Sequence, residues 1–165
     1  MIDAVAGIST LSIDGRIATA KDSDWGEARA AWNLAADQRP LAVAFVENAD
    51  DVSRVVRFAR ENGMRVAPQG TGHGAMALGS LDDVILLKTE RMRGIEVKDG
   101  KARVEAGVWA ADLGEAAAKS GRSFLPGTSP NVGAVGYTLG GRAQLVGPQV
   151  RICVQQGDRH RARHS

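Results

Sequence analysis

A glycine-rich stretch that directly follows a short apolar segment constrains this chain most. In APQGTGHGA (67–75), glycine occupies every second position from Gly70 to Gly74. Glycine allows positive φ and a close approach of the backbone to a ligand. Successive N–H groups in such a turn can form a nest that binds an anion such as a pyrophosphate. The stretch alone predicts equally well a dinucleotide-binding loop and a plain connection between two strands.

Known phosphate-binding motifs do not fit this stretch. No Gly-Lys-Ser/Thr follows, which excludes a Walker loop, and neither the G-x-G-x-x-G fingerprint nor a long amphipathic helix is present. His73 is the one imidazole in residues 1–141, without a second His or a Cys there to complete a metal site. His73 is then an ordinary polar side chain of the surface, a general base without a visible partner, a cofactor contact or a covalent attachment point.

Regular elements are predicted on both sides of the loop. Apolar spacing predicts a helix over 25–36, and buried strands are predicted at 41–46, 64–68 and 83–88. Between the first two strands a helix starts at Asn48 or Asp50 and ends before Gly63. This βαβ unit predicts parallel strands.

The pattern changes after residue 88. Two alternating runs around Asp99-Gly100 predict a hairpin over 94–107, and a helix is predicted over 110–121. A second glycine-rich cluster, LPGTSPNVGAVGYTLGG (125–141), follows; it suits either close backbone approach to a ligand or tight turns between strands. A βαβ unit followed by a hairpin and a helix indicates the α+β class.

Composition and charge exclude several classes of protein. Cys153 is the only cysteine, so no intrachain disulfide forms, and no apolar stretch is long enough to span a bilayer. Without a secretory signal at the N-terminus we expect a cytoplasmic protein. The net charge is +2, but the tail 142–165 carries +4 from five Arg and one Asp, which leaves −2 for residues 1–141. The predicted domain is therefore not basic, which argues against a nucleic-acid partner.

The order of these motifs resembles the FAD-binding domain of the vanillyl-alcohol oxidase / p-cresol methylhydroxylase (PCMH) superfamily, and within it the berberine-bridge-enzyme-like FAD-linked oxidases. The resemblance covers roughly residues 25–141 and rests on RPLAVAFVENADDVSRVVRFARENGMRVAPQGTGHGA, VEAGVWAADL and LPGTSPNVGAVGYTLGG. It implies an incomplete PCMH-type fold, with a small parallel βαβ subdomain followed by part of an antiparallel α+β subdomain. The implied cofactor is FAD, and no metal is implied.

The resemblance also implies a set of cofactor-binding residues. The loop matching 68–74 would hold the FAD pyrophosphate, and the stretch matching 127–141 would wrap the pyrophosphate and adenosine side. His73 falls where many members attach the flavin through its 8α-methyl group. Some members add a second attachment through a cysteine, but Ser129 and Pro130 stand in that region here, which implies attachment at His73 alone or none. The implied residues are Pro68, Gln69, Gly70, Thr71, Gly72, His73, Gly74, Gly127, Thr128, Ser129, Val132, Gly133, Gly136, Tyr137, Gly140 and Gly141.

The resemblance stops after Gly141, where members continue with a segment like GLSWLGRKYG. Suitable codons for 142–153, read one base later, give G-L-S-W-L-G-R-K-Y-G-F-A, which predicts a frameshift that the gene sequence can test. A natural disordered basic tail is the alternative. The predicted parts are an N-terminal segment (1–24), a partial FAD-binding domain (25–141) and a non-homologous basic tail (142–165). In a domain cut short there, we expect uncovered apolar surface and self-association through it.

Three functions follow from these observations. The first is the flavin-binding portion of an FAD-dependent oxidoreductase, in which the resemblance implies oxidation of a small molecule by hydride transfer to the flavin. Its catalytic base and substrate pocket would lie outside this sequence, so no catalytic residue is assigned. The second is a catalytically inactive fragment of such a domain. The third is a small protein that binds nucleic acid through its basic tail.

Overall fold

The computed structural model describes residues 7, 8, 10–124 and 127–140. A four-stranded sheet forms its centre, built from β1 (Arg16–Ala18), β2 (Ala42–Phe45), β3 (Arg65–Gln69) and β4 (Val84–Lys88) in the order β1-β2-β4-β3. β2, β4 and β3 are parallel, while β1 runs antiparallel to β2 at the edge. The predicted parallel strands are therefore confirmed, with β4 inserted between the two strands of the βαβ unit. Fully buried residues along β4 fit its central place.

Helices α1 (Trp25–Ala28) and α2 (Ala49–Glu61) come before β3 in the chain. Helix α2 connects β2 to β3 and buries one face on the sheet. The Asn48 side chain accepts a hydrogen bond from the Asp51 N–H and caps the first turn, and Gly63 follows the helix at φ +65°. Both end signals were predicted from the sequence. Val55 and Ala59 pack with Ile85 and Leu87 of the central strand, which forms the larger core of the molecule.

Asp51, although charged, is fully buried in the first turn of α2. Its carboxylate accepts hydrogen bonds from the backbone N–H groups of Asp14 (2.8 Å), Gly15 (3.1 Å) and Glu47 (3.0 Å). Burial would raise the pKa of this carboxyl, but the three N–H donors and the charge of Arg54 lower it below its usual value. The ionised carboxylate therefore ties the segment before β1 to the start of α2. No pattern in residues 1–24 predicted β1.

The predicted helix over 25–36 is wrong in length. Helix α1 spans only Trp25–Ala28. Beyond it the chain turns away, and the Trp32 N–H donates a hydrogen bond to the Thr71 carbonyl at 3.0 Å. A tertiary contact with the glycine-rich loop thus replaces the next helical turn.

The second part of the chain is a hairpin with two helices. β5 (Ile95–Lys98) and β6 (Lys101–Val104) pair antiparallel as predicted, and both Asp99 (φ +50°) and Gly100 (φ +75°) adopt the left-handed conformation that a tight hairpin turn requires. Helix α3 (Ala110–Lys119) follows. The second glycine-rich cluster contains a short helix, α4 (Ala134–Leu139), which the sequence did not predict.

A parallel sheet followed by an antiparallel hairpin with helices confirms the predicted α+β fold. Within the described ranges, no helix is both long and apolar enough to cross a membrane. Gly141 and the basic tail 142–165, with the predicted frameshift, lie outside the described residues.

Candidate functional site

The candidate site lies where the parallel strands β3 and β4 end. The glycine-rich loop Gly70–Gly74 follows β3, and Thr89 follows Lys88 at the end of β4. Ligands of open parallel sheets bind outside the carboxyl ends of the strands, since the loops there present backbone groups and side chains together. The first glycine-rich cluster therefore lies at the edge where a ligand is expected.

The loop Gly70–Gly74 is shaped by glycine at one position above all. Gly72 has φ +84°, and a Cβ built on it would lie 2.8 Å from the Ala31 Cβ. From Gly70 to Gly74, none of the backbone N–H groups donates a hydrogen bond to another described residue. N–H donors without a partner among the described residues leave this partly buried loop able to act as an anion nest, one of the two alternatives predicted from the sequence.

His73 is held by two neighbours. Its Nδ1 lies 2.8 Å from the Thr71 hydroxyl oxygen, and its ring stacks on Trp32 with the centroids 4.0 Å apart and the planes 10° from parallel. The Thr71 hydroxyl also accepts a hydrogen bond from the Gly133 N–H at 3.3 Å. Through Thr71 the two glycine-rich clusters, which are far apart in sequence, meet at one point.

Several buried polar atoms at this edge have no partner. Gln69 Oε1, His73 Nε2 and Thr89 Oγ1 are buried and make no hydrogen bond within the described residues. Buried polar side-chain atoms are usually hydrogen-bonded, so three such atoms around one loop leave hydrogen-bonding capacity there for a ligand or water. Thr89 was not predicted as a site residue, while Gln69 and His73 were.

An open cleft of about 500 Å³ lies beside the loop. Its walls include Trp32, Gly70, Lys88, Arg93, Trp109 and Asn131. Three basic side chains line it, since Arg91 joins Lys88 and Arg93, against the single acid Glu90. The cleft thus combines the glycine loop with an excess of positive charge, which suits a phosphorylated ligand.

Lys88 is the buried cation of the cleft. It is 6% exposed, its Nζ donates to the Ala30 carbonyl at 2.7 Å, and no carboxylate pairs with it among the described residues. Burial lowers the pKa of Lys88, opposed by the nearby charges of Glu90 and Glu27. By contrast, Arg91 pairs with Glu47, and Arg93 pairs with Asp112 while lying over the Trp109 ring. Among the described residues, Lys88 is therefore the basic group of the cleft that forms no ion pair.

The second cluster contributes fewer visible contacts. Gly133 is buried against Thr71, and Ser129 donates to Asn131 Oδ1 at 2.6 Å. A Cβ on Gly127 would meet the Tyr137 ring at 2.9 Å, so this glycine serves close packing. Within the part of the chain that the structure describes, no backbone hydrogen bond joins the first loop to the other predicted residues of this cluster, which are Thr128, Val132, Gly136 and Gly140. Pro68 is an exposed residue of β3.

Sequence reasoning missed Trp32, Lys88, Thr89 and Trp109. Lys88 had a usable signal, because a charged residue that ends an otherwise apolar strand lies at the carboxyl edge of a parallel sheet. Trp32 had none, since its spacing placed it on a helix that ends earlier.

Comparison with known proteins defines the class. Residues 40–155 match the family described as FAD binding domain. The chain is 31% identical over 141 residues to (R)-6-hydroxynicotine oxidase from Paenarthrobacter nicotinovorans, covering 84% of this chain and 31% of that protein. The crystal structure of 6-hydroxy-D-nicotine oxidase from Arthrobacter nicotinovorans superposes with a TM-score of 0.68 at 32% identity, over 76% of this chain and 28% of that one.

A second solved structure is similar over more of the chain. Glucooligosaccharide oxidase from Acremonium strictum, described with a 6-S-cysteinyl, 8α-N1-histidyl FAD, gives a TM-score of 0.67 at 25% identity and covers 86% of this chain and 30% of that one. The chain thus spans about a third of the length of these relatives.

The protein belongs to the FAD binding domain family. The predicted resemblance to PCMH-type, berberine-bridge-enzyme-like FAD-linked oxidases and the predicted FAD cofactor are thereby confirmed. Among the described residues, the loop N–H groups and the buried polar atoms beside it lack hydrogen-bond partners, and together with the buried Lys88 they fit a diphosphate-containing cofactor.

Proposed function

We propose that this chain is the flavin-binding portion of an FAD-linked oxidoreductase and holds FAD at the carboxyl edge of its parallel sheet. The observation that carries the proposal is the loop Gly70–Gly74, whose backbone N–H groups donate to no other described residue and whose Gly72 has no room for a side chain. An unpaired donor run of this kind, with a buried cation nearby, suits the two charges of a pyrophosphate.

Each group of site residues has its own part in binding the cofactor. Loop 68–74 and the Lys88 ammonium bind the pyrophosphate, while Thr71 fixes the second glycine cluster, 127–141, against it through Gly133. Gln69 Oε1 and Thr89 Oγ1 supply buried hydrogen-bond acceptors at the same edge, and the Thr89 hydroxyl is also a donor.

His73 is the attachment point for the flavin in this proposal. Its imidazole lies beside the nest, with Nδ1 held by Thr71 and Nε2 buried without a partner. A histidyl FAD is described for glucooligosaccharide oxidase, together with a cysteinyl link. This chain has its only cysteine at position 153, and Ser129 and Pro130 occupy the second cluster, so a single link through His73 is expected.

The bound flavin supplies the redox chemistry, by accepting a hydride from an oxidisable small molecule. The site residues named above bind and orient the cofactor. No general base for the substrate is assigned to them. The predictions of a cytoplasmic location, self-association and the absence of nucleic-acid partners stay predictions.

The test is the visible spectrum of the chain purified with FAD present, before and after acid precipitation. We expect yellow colour in the acid pellet of the wild type and its loss in His73→Ala. His160→Ala is the matched control and should keep the colour.

The outcomes separate the candidate functions. Colour that is lost from the wild-type pellet but present in the native protein would contradict attachment at His73 and leave FAD binding intact. A colourless native protein would contradict FAD binding by this chain and favour the inactive fragment.

A further inference from the structure

We propose that Trp32 is a positioning residue, which fixes the plane of the His73 imidazole so that one of its nitrogens faces the cofactor. This role rests on the proposed function, in which His73 attaches the flavin. The contacts that support it all lie within the described residues.

The first observation is the stack itself. The indole and imidazole planes lie 10° apart with the ring centroids at 4.0 Å, although the Trp32 residue is 57% exposed. A large aromatic side chain with half its surface in water is not held there by core burial, and Trp32 is absent from the apolar cores. The ring contact that it makes is the stack on His73.

The second observation is how the backbone holds Trp32 in place. The Trp32 N–H donates to the Thr71 carbonyl at 3.0 Å, and a Cβ on Gly72 would lie only 2.8 Å from the Ala31 Cβ. Segment 31–32 is therefore fixed on the same loop that carries His73. This backbone contact keeps the Cα of Trp32 beside the loop, within reach of the imidazole.

The third observation is that the stack and the Thr71 hydroxyl act on different degrees of freedom. The hydroxyl lies 2.8 Å from Nδ1 and fixes one nitrogen, whereas the indole restricts rotation of the ring about its Cβ–Cγ bond. Together they hold Nε2 in its buried position without a partner. A stacked aromatic pair of this kind shifts a conformational population by roughly two- to tenfold.

The experiment compares Trp32→Ala, Trp32→Phe and the control Leu34→Ala, an 83% exposed residue of the same segment. The nitrogen chemical shifts of the His73 imidazole are measured in the apo chain, assigned by their absence in His73→Ala. In the wild type we expect two well-separated nitrogen signals from one dominant tautomer. In Trp32→Ala the signals should move toward their average as the ring gains freedom, while Trp32→Phe and Leu34→Ala keep the wild-type values.

A second readout is the rate of acid-stable FAD incorporation into apo protein. It should fall roughly two- to tenfold in Trp32→Ala and recover in Trp32→Phe. Unchanged nitrogen shifts in Trp32→Ala would overturn the proposal whatever happens to the flavin. If the wild type takes up no acid-stable FAD, attachment at His73 fails, and the nitrogen shifts alone decide the role of Trp32.

Discussion

At the scale of single residues, Asp51 shows how a buried charge can stabilise this fold. Its carboxylate accepts three backbone N–H groups, so each oxygen is satisfied and the ionised form is favoured. The sequence pattern of β1 is weak. These hydrogen bonds therefore contribute strongly to holding the segment before β1 in place.

We expect Asp51→Asn to destabilise the protein by about 1–3 kcal/mol at pH 7, since the amide replaces an acceptor oxygen with a donor facing N–H groups. The measurement is urea unfolding, with the exposed neighbour Asp50→Asn as control. The folded pKa of Asp51 is lowered, so its stabilising effect is present above the unfolded pKa of about 3.9 and is lost as the pH falls through the folded pKa. The gap between wild type and variant should therefore shrink in acid; a constant gap down to low pH would contradict this account.

Unlike the Asp51 carboxylate, the Lys88 ammonium is disfavoured in the folded protein. Burial disfavours its charged form, so the ammonium lowers stability at neutral pH, and stability recovers as the pH rises through the folded pKa toward the unfolded value. A buried charge kept at such a position is expected to serve a ligand.

Lys88→Met should therefore stabilise the apo protein by about 1 kcal/mol and weaken FAD binding roughly tenfold or more. Urea unfolding and quenching of flavin fluorescence measure the two effects. Lys101→Met, an exposed change in the hairpin, should alter neither quantity. Loss of stability with unchanged FAD affinity would mean that Lys88 serves only its bond to Ala30.

At the scale of elements, the glycine loop can be tested with two of its own residues. Gly72 has φ +84° and no room for a Cβ, whereas Gly74 has φ −93° and open space around it. Alanine at position 72 should lower stability by roughly 1–3 kcal/mol and abolish FAD binding, because the strained backbone and the contact with Ala31 both reshape the nest.

Alanine at position 74 should change stability by less than about 0.5 kcal/mol, as ordinary surface substitutions do. Thermal unfolding and FAD titration measure the stability and the FAD binding of both variants. Equal tolerance of alanine at the two positions would show that the loop does not depend on the conformation of Gly72.

The elements that the sequence predicted are those with local signals. The Asn48 cap and Gly63 define α2, and Asp99-Gly100 defines the hairpin, because each signal acts within a few residues. The elements that it missed depend on distant contacts. β1 is held by pairing with β2 and by Asp51, and the helix after Trp25 ends early because Trp32 bonds to Thr71.

In the candidate site too, the residues with a local sequence signal were predicted and the others were not. The glycine loop and His73 were found because glycine spacing and a lone imidazole can be read directly from the sequence. Lys88 and Trp32 were not found, since their roles arise from the order of strands in the sheet and from a stack between residues 41 positions apart.

At the scale of the whole molecule, we expect cofactor binding and folding to be coupled. The nest lies between the parallel sheet and the second glycine cluster, joined through Thr71 and Gly133, so a ligand held there links the two parts of the chain. A ligand that binds only the folded state stabilises it by about 2.7 kcal/mol at a concentration one hundred times its Kd.

We therefore expect saturating FAD to raise the Tm of the apo chain by roughly 10 °C, given a few degrees for each kcal/mol in a domain of this size. Riboflavin is the matched control ligand. It carries the ring system without the pyrophosphate, so it cannot engage the loop N–H groups or Lys88 and should shift the Tm far less. In His73→Ala the shift with FAD should remain and reverse on dialysis, because attachment is lost but the nest is kept. Equal shifts with FAD and riboflavin would contradict pyrophosphate binding by the loop, and place the affinity of the chain for flavin in its contacts with the ring.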